Sequence, residues 1–175
     1  MDDRGSDTWT TALTDVDEAT LCAWAERLGA GLEGGDVVLL VGEMGAGKTT
    51  FTRALARGLG VLRPDRVCSP TFNLRVEHRG PRPLVHVDLC RFVELGPSDA
   101  TPLAALEALG LDAWYDDAPT NAVLVVEWAD AWMHPPAHHL RIGLCVAASA
   151  PDRRDVVISG HGRVAHAAEA AVRAV

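Results

Sequence analysis

The most constraining feature of this sequence is the segment GEMGAGKT, residues 42–49, which lies between a predicted strand and a predicted helix. The preceding residues 36–41, DVVLLV, form an apolar run with the length of a buried strand. After the segment, apolar residues recur at the spacing of one helix face: Phe51, Leu55 and Leu59. A G-x-x-x-x-G-K-[ST] pattern between a strand and a helix predicts a P-loop, a turn that surrounds phosphate groups.

The residue types of this loop suit phosphate binding. Its glycines allow backbone N–H groups to point inward at an anion. Lys48 is the single lysine of the chain, and every other basic residue is an arginine. A compact ammonium group reaches the β- and γ-phosphates from the start of a helix, where a planar guanidinium fits badly. The Thr49 hydroxyl is placed to ligate Mg²⁺. The predicted nucleotide-binding residues here are Glu43, Met44, Gly45, Ala46, Gly47, Lys48, Thr49 and Thr50.

Composition limits the class of protein. The chain has 175 residues, 48% of them hydrophobic, which suits one domain with a substantial core. No apolar stretch approaches transmembrane length, and the acidic, polar N-terminus does not resemble a signal peptide. Four cysteines without a C-x-x-C pair indicate a reduced cytoplasmic protein rather than a disulfide framework or a zinc site. The net charge of −8 argues against a large nucleic-acid footprint.

Hydrophobic patterns predict an α/β chain. A capping box at residues 14–17 predicts a helix with Leu21, Trp24, Ala25 and Leu28 on one face. Strands are predicted at residues 9–13, 84–87, 123–126, 140–146 and 154–159, with a loop running into a strand at 69–76 and a helical stretch within 96–119. The predicted fold is a P-loop NTPase-like three-layer sandwich with a mixed, largely parallel central sheet. Its predicted organisation is a disordered N-terminus at 1–7, a single ATPase domain at 8–162 and a helical tail at 163–175.

Two acids follow two of the predicted buried strands. Asp88 comes after LVHV, and Glu127 comes after VLVV. Ligands of open α/β sheets bind beyond the carboxyl ends of the strands. If both strands flank the P-loop strand, both carboxylates reach Thr49, where Mg²⁺ and an attacking water would lie. Asp88 and Glu127 are therefore the predicted catalytic acids.

Other residues allow two interpretations. Thr71 is a loop residue that senses the nucleotide or part of a Ser/Thr turn, and Trp128 belongs to the site or to the core. Arg153, with Arg154 beside it, contacts a nucleotide phosphate or is an exposed turn arginine. For the histidines around Pro135 and Pro136, a solvated loop is favoured over a metal site because no cysteine or acid is spaced to join them.

Four motifs in this order, GEMGAGKTTF, SPTF, HVDLCRF and VEWAD, resemble the TsaE (YjeE) family, the P-loop ATPase component of bacterial tRNA threonylcarbamoyladenosine biosynthesis. The resemblance runs from about Gly35 to Asp130. A P-loop alone is common to many families, whereas the ordered set is specific. Two positions depart from the family pattern: Cys90 stands where an aromatic is usual, and Asn73 stands where a second threonine is frequent.

The resemblance implies an ATP-binding subunit that works with TsaD and TsaB and meets tRNA only through these partners. No membrane or DNA partner is implied. Lys48 and Thr49 would bind phosphate and Mg²⁺, and Glu127 would be the Walker-B-like Mg²⁺ ligand. Asp88 would be a second essential acid near the γ-phosphate. Thr71 would belong to a switch-like loop, and Trp128 would be a functional aromatic.

Two other classes of protein compete with this interpretation. A small-molecule or nucleotide kinase usually needs an acceptor domain and an arginine-bearing lid. Only residues 96–119 are free to form one, and they contain no arginine. A GTP-dependent switch would carry an Asn-Lys-x-Asp motif, which cannot occur here because Lys48 is the only lysine.

Overall fold

A seven-stranded mixed sheet organises the structure, a computed structural model that describes residues 8–93, 103–114, 121–162 and 170–171. The strands are β1 (Thr8–Asp17), β2 (Val37–Val41), β3 (Arg75–His78), β4 (Leu84–Asp88), β5 (Val123–Glu127), β6 (His139–Val146) and β7 (Arg153–His161). The α-helices are α1 (Glu18–Gly31), α2 (Lys48–Gly58), α3 (Cys90–Val93) and α4 (Leu103–Ala108). Short 3₁₀ turns lie at Pro64–Arg66, Asp112–Trp114 and Ala129–Ala131.

The strand order is β1-β7-β6-β2-β5-β4-β3. The four central strands, from β6 to β4, pair in parallel, and antiparallel pairs extend both edges. This arrangement confirms the predicted α/β fold with a mixed sheet. The condition that both acid-bearing strands flank the P-loop strand holds for the strand of Glu127 and not for that of Asp88. β5 lies beside β2, but β6 occupies the other side of β2, so β4 is one strand further away.

The apolar runs form strands that are buried on both faces of the sheet. Val38 and Leu40 of β2 pack with α1 and α2, whereas Val37 and Leu39 pack in a second cluster on the opposite face. Each such fully buried aliphatic side chain contributes about 1.5–3 kcal/mol. On the opposite face the second cluster includes Phe92 of α3 and Ala129 of a 3₁₀ turn, so short helical segments cover that face and complete the predicted three layers.

The helical layer of α1 and α2 fixes where the P-loop helix lies. Trp24 and Phe51 meet between the two helices, with ring centroids 5.2 Å apart. Gly58, at the end of α2, is required by this packing, because a Cβ there would collide with the carbonyl oxygen of Glu26. The start of α2 is thereby held at the carboxyl end of β2.

The structure revises several predicted boundaries. β1 continues to Asp17, and the N-cap of α1 is Asp17 rather than Thr14, since its carboxylate accepts from the Thr20 amide at 2.8 Å. Of the helical stretch predicted within 96–119, the structure describes α4 and a 3₁₀ turn. The prediction for residues 1–7 lies outside the described residues, as does that for the tail apart from two helical residues, 170–171. Among the described residues, no helix is both long and apolar enough to cross a membrane.

Candidate functional site

The glycine loop leaves β2 and returns into α2 as the sequence predicts. Gly42 has a φ of 142°, and a Cβ there would collide with the carbonyl oxygen of Leu144 on β6, so only glycine fits. At Gly45, by contrast, an added Cβ would meet no atom within 4 Å. Gly45 is also one of the residues that line a cavity at the loop. The loop therefore forms a cradle with room for a ligand.

Lys48 is buried at the centre of this cradle. Its Nζ donates to the carbonyl oxygens of Gly42 at 2.6 Å and Glu43 at 2.8 Å. It also lies 3.8 Å from the centroid of the Trp128 ring, a cation–π distance. Burial lowers the pKa of the Lys48 ammonium, and the neighbouring carboxylates of Glu127 and Asp88 oppose this shift. The ammonium is thus presented between two acids and an aromatic face.

Glu127 ends β5 and is held from several sides. Its Oε2 accepts from the Thr49 hydroxyl at 2.9 Å. Its Oε1 lies 2.8 Å from Nε2 of His86 and 3.2 Å from the hydroxyl of Thr52. Only 2% of Glu127 is exposed, so these contacts replace water around its carboxylate. Thr49 and Glu127 together offer the hard oxygen donors that Mg²⁺ prefers, and both could hold this ion.

Asp88 ends β4 next to Glu127, its register partner on β5. Its Oδ2 accepts hydrogen bonds from the hydroxyls of Ser69 and Thr71, the latter at 2.8 Å. Its Oδ1 accepts from the Cys90 amide at 2.8 Å. The Asp88 carboxylate is therefore in direct contact with the loop that carries Thr71. The extra strand between β4 and β2 does not remove Asp88 from the site.

One cavity of about 470 Å³ unites most of the predicted site residues. All of them line it except Glu43, Ala46 and Arg153. Ser69 and Cys90, which the sequence analysis did not assign to the site, line it as well. Four chain segments far apart in sequence thus converge on one space with a cation and two carboxylates in its wall.

Arg153 and Arg154 lie in different surroundings. Arg153 donates to the carbonyl oxygen of Asp15 at 3.1 Å and lies 3.9 Å from the carboxylate of Asp17. Arg154 reaches the glycine loop instead, where its Nε donates to the carbonyl oxygen of Ala46 at 2.8 Å. The predicted phosphate contact of Arg153 is not placed at the cavity, and Arg154 is the arginine beside the loop.

A second cavity of about 430 Å³ borders the same loop. It shares the lining residues Gly45, Gly47 and Thr50 with the first, so the two are neighbours. Carboxylates and a guanidinium contribute to its wall: Asp17, Glu18, Asp152 and Arg154. An extended ligand held at the loop could therefore occupy both spaces.

Sequence reasoning missed the residues that support Glu127. His86 is the polar residue of a strand that is otherwise apolar up to Asp88, and this interruption was the available signal. Thr52 follows Lys48 by one helical turn, on the buried face of α2. Of the histidines predicted to lie in a solvated loop, His134 and His138 are exposed and lie outside helices and strands. His139 differs, since it begins β6 and stacks on His161 with centroids 4.4 Å apart.

Comparisons with known proteins identify the family. The family model "Threonylcarbamoyl adenosine biosynthesis protein TsaE" matches residues 16–155. The chain is 40% identical over 143 residues to a tRNA threonylcarbamoyladenosine biosynthesis protein TsaE of Streptomyces coelicolor, covering 78% of this chain and 87% of that protein. The protein of the same name from Bacillus subtilis is 34% identical over 129 residues, or 73% and 72% of the two chains.

A solved structure shares the fold of this chain. The crystal structure of Bacillus subtilis YdiB superimposes with a TM-score of 0.70 at 29% sequence identity, over 97% of each chain. The family model spans most of the sequence, including the glycine loop and both acid-bearing strands. The chain therefore belongs to the TsaE family of threonylcarbamoyl adenosine biosynthesis proteins.

Proposed function

We propose that this protein is the Mg²⁺-dependent ATP-binding and ATP-hydrolysing subunit of the tRNA threonylcarbamoyladenosine machinery. In this proposal it supports the turnover of a complex of TsaB- and TsaD-like proteins. The observation that carries the proposal is the contact between Thr49 and Glu127 at 2.9 Å, beside the buried ammonium of Lys48. This is the combination of P-loop hydroxyl, strand-end acid and lysine that P-loop NTPases use for Mg²⁺ and phosphate.

The phosphates of ATP would lie in the cradle of the glycine loop. The loop amides and the N-terminus of α2 favour an anion there. Lys48 now donates to two loop carbonyls, and phosphate oxygens would replace these acceptors. Its low exposure strengthens this role, since a desolvated ammonium interacts more strongly with phosphate than a solvated one.

Glu127 and Asp88 would divide the chemistry. Thr49 and Glu127 would hold Mg²⁺, which neutralises charge on the β- and γ-phosphates. Asp88 would orient the attacking water near the γ-phosphate, since it lines the same cavity and ends the strand next to that of Glu127. Its hydrogen bonds to Ser69 and Thr71 would make that loop sensitive to the state of the nucleotide.

The nucleoside end of ATP would follow the glycine loop into the second cavity. Carboxylates such as Asp17 and Asp152 suit the ribose hydroxyls as acceptors. The Arg154 guanidinium would remain bound to the loop carbonyls of Ala46 and Gly45, and so support the loop rather than the phosphates.

The cations of the site support the proposed dependence on a partner. Among the described residues that line the first cavity, Lys48 is the only basic one. A second cation supplied by another protein is worth about 10³-fold or more in rate in comparable P-loop systems. Exposed apolar side chains lie on both loops that border the cavity, since Met44 is 79% and Phe72 is 92% exposed. We infer that a TsaB- and TsaD-like partner docks at this side of the protein.

The test is the ATPase rate with and without a TsaB–TsaD complex, together with a phosphate-transfer assay against nucleosides and sugars. The proposal predicts slow hydrolysis alone, a large increase with the partner and no phosphorylated acceptor. Transfer of the γ-phosphate to a small molecule would support the kinase alternative instead. A gel shift with tRNA alone completes the test, because the net charge of −8 predicts weak binding without a partner.

A further inference from the structure

A histidine is buried completely inside the central sheet beside the site. His86 lies in the middle of β4 with 0% of its surface exposed, on the side of the sheet that faces α2. Burying a polar ring is costly unless it forms a hydrogen bond. The bond that it forms is to Oε1 of Glu127, at 2.8 Å, between two side chains that are at most 2% exposed.

The chemistry of the two groups fixes the direction of this bond. An ionised carboxylate only accepts hydrogen bonds, so Nε2 of His86 must carry the hydrogen. The other ring nitrogen, Nδ1, is buried and has no partner among the described residues. The hydrogen bond therefore runs from Nε2 of His86 to Oε1 of Glu127.

The two carboxylate oxygens of Glu127 contact different residues. Oε1 points inward to His86 and Thr52, whereas Oε2 points to Thr49 at the cavity. The Thr52 hydroxyl has one hydrogen and also lies 3.0 Å from the carbonyl oxygen of Lys48, so its bond to Oε1 is shared. His86 is thus the donor that holds Oε1 without competition.

We infer that His86 is a positioning residue that fixes the Glu127 carboxylate so that Oε2 is presented to Thr49 and the Mg²⁺ site. This inference rests on the proposed function of Glu127 and names the group that orients it. Groups that orient a metal ligand typically alter metal affinity or activity about 10- to 100-fold when they are removed. The expected consequence of losing His86 is a weaker response to Mg²⁺ with an intact phosphate cradle.

Three variants isolate the role of the Nε2 hydrogen. His86→Leu removes the donor and keeps an apolar side chain inside the sheet. His86→Gln places an amide N–H at about the reach of Nε2 and should restore much of the function. His78→Leu is the matched control, because this ring on β3 lies 6.1 Å from that of His86, has a buried nitrogen of its own and forms none of the hydrogen bonds described for Glu127.

The readout is the affinity for a fluorescent ATP analogue with and without Mg²⁺, followed by the hydrolysis rate as a function of Mg²⁺ concentration. We expect His86→Leu to bind the analogue normally without Mg²⁺ and to require about 10- to 100-fold more Mg²⁺ for the effect of the ion on binding and rate. His86→Gln should lie near the wild type, and His78→Leu should match it. Thermal unfolding identifies any variant whose fold is lost.

The outcomes separate this inference from the proposed function. A wild type whose analogue binding does not respond to Mg²⁺, and which hydrolyses no ATP with its partner, would contradict the proposed function. A Mg²⁺ response that is the same in His86→Leu as in the wild type would overturn the role of His86 alone. A folded His86→Gln that is as defective as His86→Leu would overturn it too, since the donor would then be irrelevant.

Discussion

Glu127 and Asp88 occupy equivalent places in the sheet and yet are held by different parts of the molecule. Both residues end parallel strands, are register partners on neighbouring strands and are at most 2% exposed. The hydrogen bonds of Glu127 come from α2 and from His86 inside the sheet. Those of Asp88 come from Ser69, Thr71 and the Cys90 amide. One acid is anchored in the core, and the other is tied to a surface loop.

This difference predicts that a movement of Asp88 reaches the protein surface and that a movement of Glu127 does not. The loop that binds Asp88 carries Phe72, which is 92% exposed, and Leu74, which adopts a φ of 60°. Its backbone also contacts β4, since the Asp88 amide donates to the carbonyl oxygen of Leu74 at 2.9 Å. A change at the γ-phosphate that moves Asp88 would therefore reach the surface, whereas a change at Glu127 would stay inside.

The largest effect is expected from Lys48, because it lies beside both acids. Lys48→Ala should weaken ATP binding by about 2–4 kcal/mol, as when one member of a desolvated charge pair is lost. This corresponds to roughly 30- to 1,000-fold in Kd. Lys48→Arg should also be strongly impaired, since the planar guanidinium does not fit between the loop carbonyls. Titration with a fluorescent ATP analogue measures both. An arginine variant with wild-type affinity would contradict the account of this position.

Glu127→Gln should separate binding from chemistry. Lys48 and the loop amides remain to hold phosphate, and the amide oxygen of glutamine can still accept from His86. The loss of the negative charge should lower hydrolysis by about 10²-fold or more with little loss of ATP affinity. Steady-state kinetics at saturating Mg²⁺ measures the hydrolysis rate, and titration with the fluorescent ATP analogue measures the affinity. If this variant hydrolysed ATP at the wild-type rate, Glu127 would end a strand without a role in hydrolysis.

Asp88→Asn should lower hydrolysis by about 10²-fold as well, through the loss of water positioning. It should also loosen the loop, because hydrogen bonds to a charged acceptor are about twice as strong as those to a neutral one. Hydrogen exchange of residues 70–76 should therefore increase in Asp88→Asn and not in Glu127→Gln. Equal exchange in the two variants would remove the distinction between the acids.

The smallest effect is expected from Thr71→Val, which removes one of the two hydroxyl bonds to Asp88 and leaves that of Ser69. A hydrogen bond to a charged group contributes about 1.5–3 kcal/mol, but the Ser69 hydroxyl still bonds to Oδ2 of Asp88, so hydrolysis by the isolated chain should fall by about tenfold at most. The difference in partner affinity between the ATP and ADP states should shrink. Thr71→Ser, which keeps the hydroxyl, is the control and should behave as the wild type in the same pull-down.

Local features of the fold and the site could be predicted from the sequence. The P-loop is formed by consecutive residues, so the sequence pattern at Gly42–Thr49 is enough to predict the turn. The run before Glu127 is uniformly apolar, and the run before Asp88 is apolar except for His86, as strands buried on both faces require. These features need only neighbouring residues for their explanation.

Two kinds of feature could not be predicted: those that depend on the order of strands in the sheet, and those that depend on which face of a strand a residue occupies. Nothing in the runs that became β4 and β6 indicates which of them lies beside β2. The pairing of His86 with Glu127 joins residues 41 positions apart and depends on the register of β4 with β5. Successive side chains of a strand point to opposite faces, so a shift of one residue decides between Arg153 and Arg154 at the loop.

The most direct test of the central claim is hydrogen exchange of residues 70–76 in the ATP-bound and ADP-bound protein. It is compared among the wild type, Glu127→Gln and Asp88→Asn. The account predicts that the two nucleotides give different protection in the wild type and in Glu127→Gln, and that the difference disappears in Asp88→Asn. Identical protection with ATP and ADP in the wild type would contradict it, as would a difference that survives in Asp88→Asn.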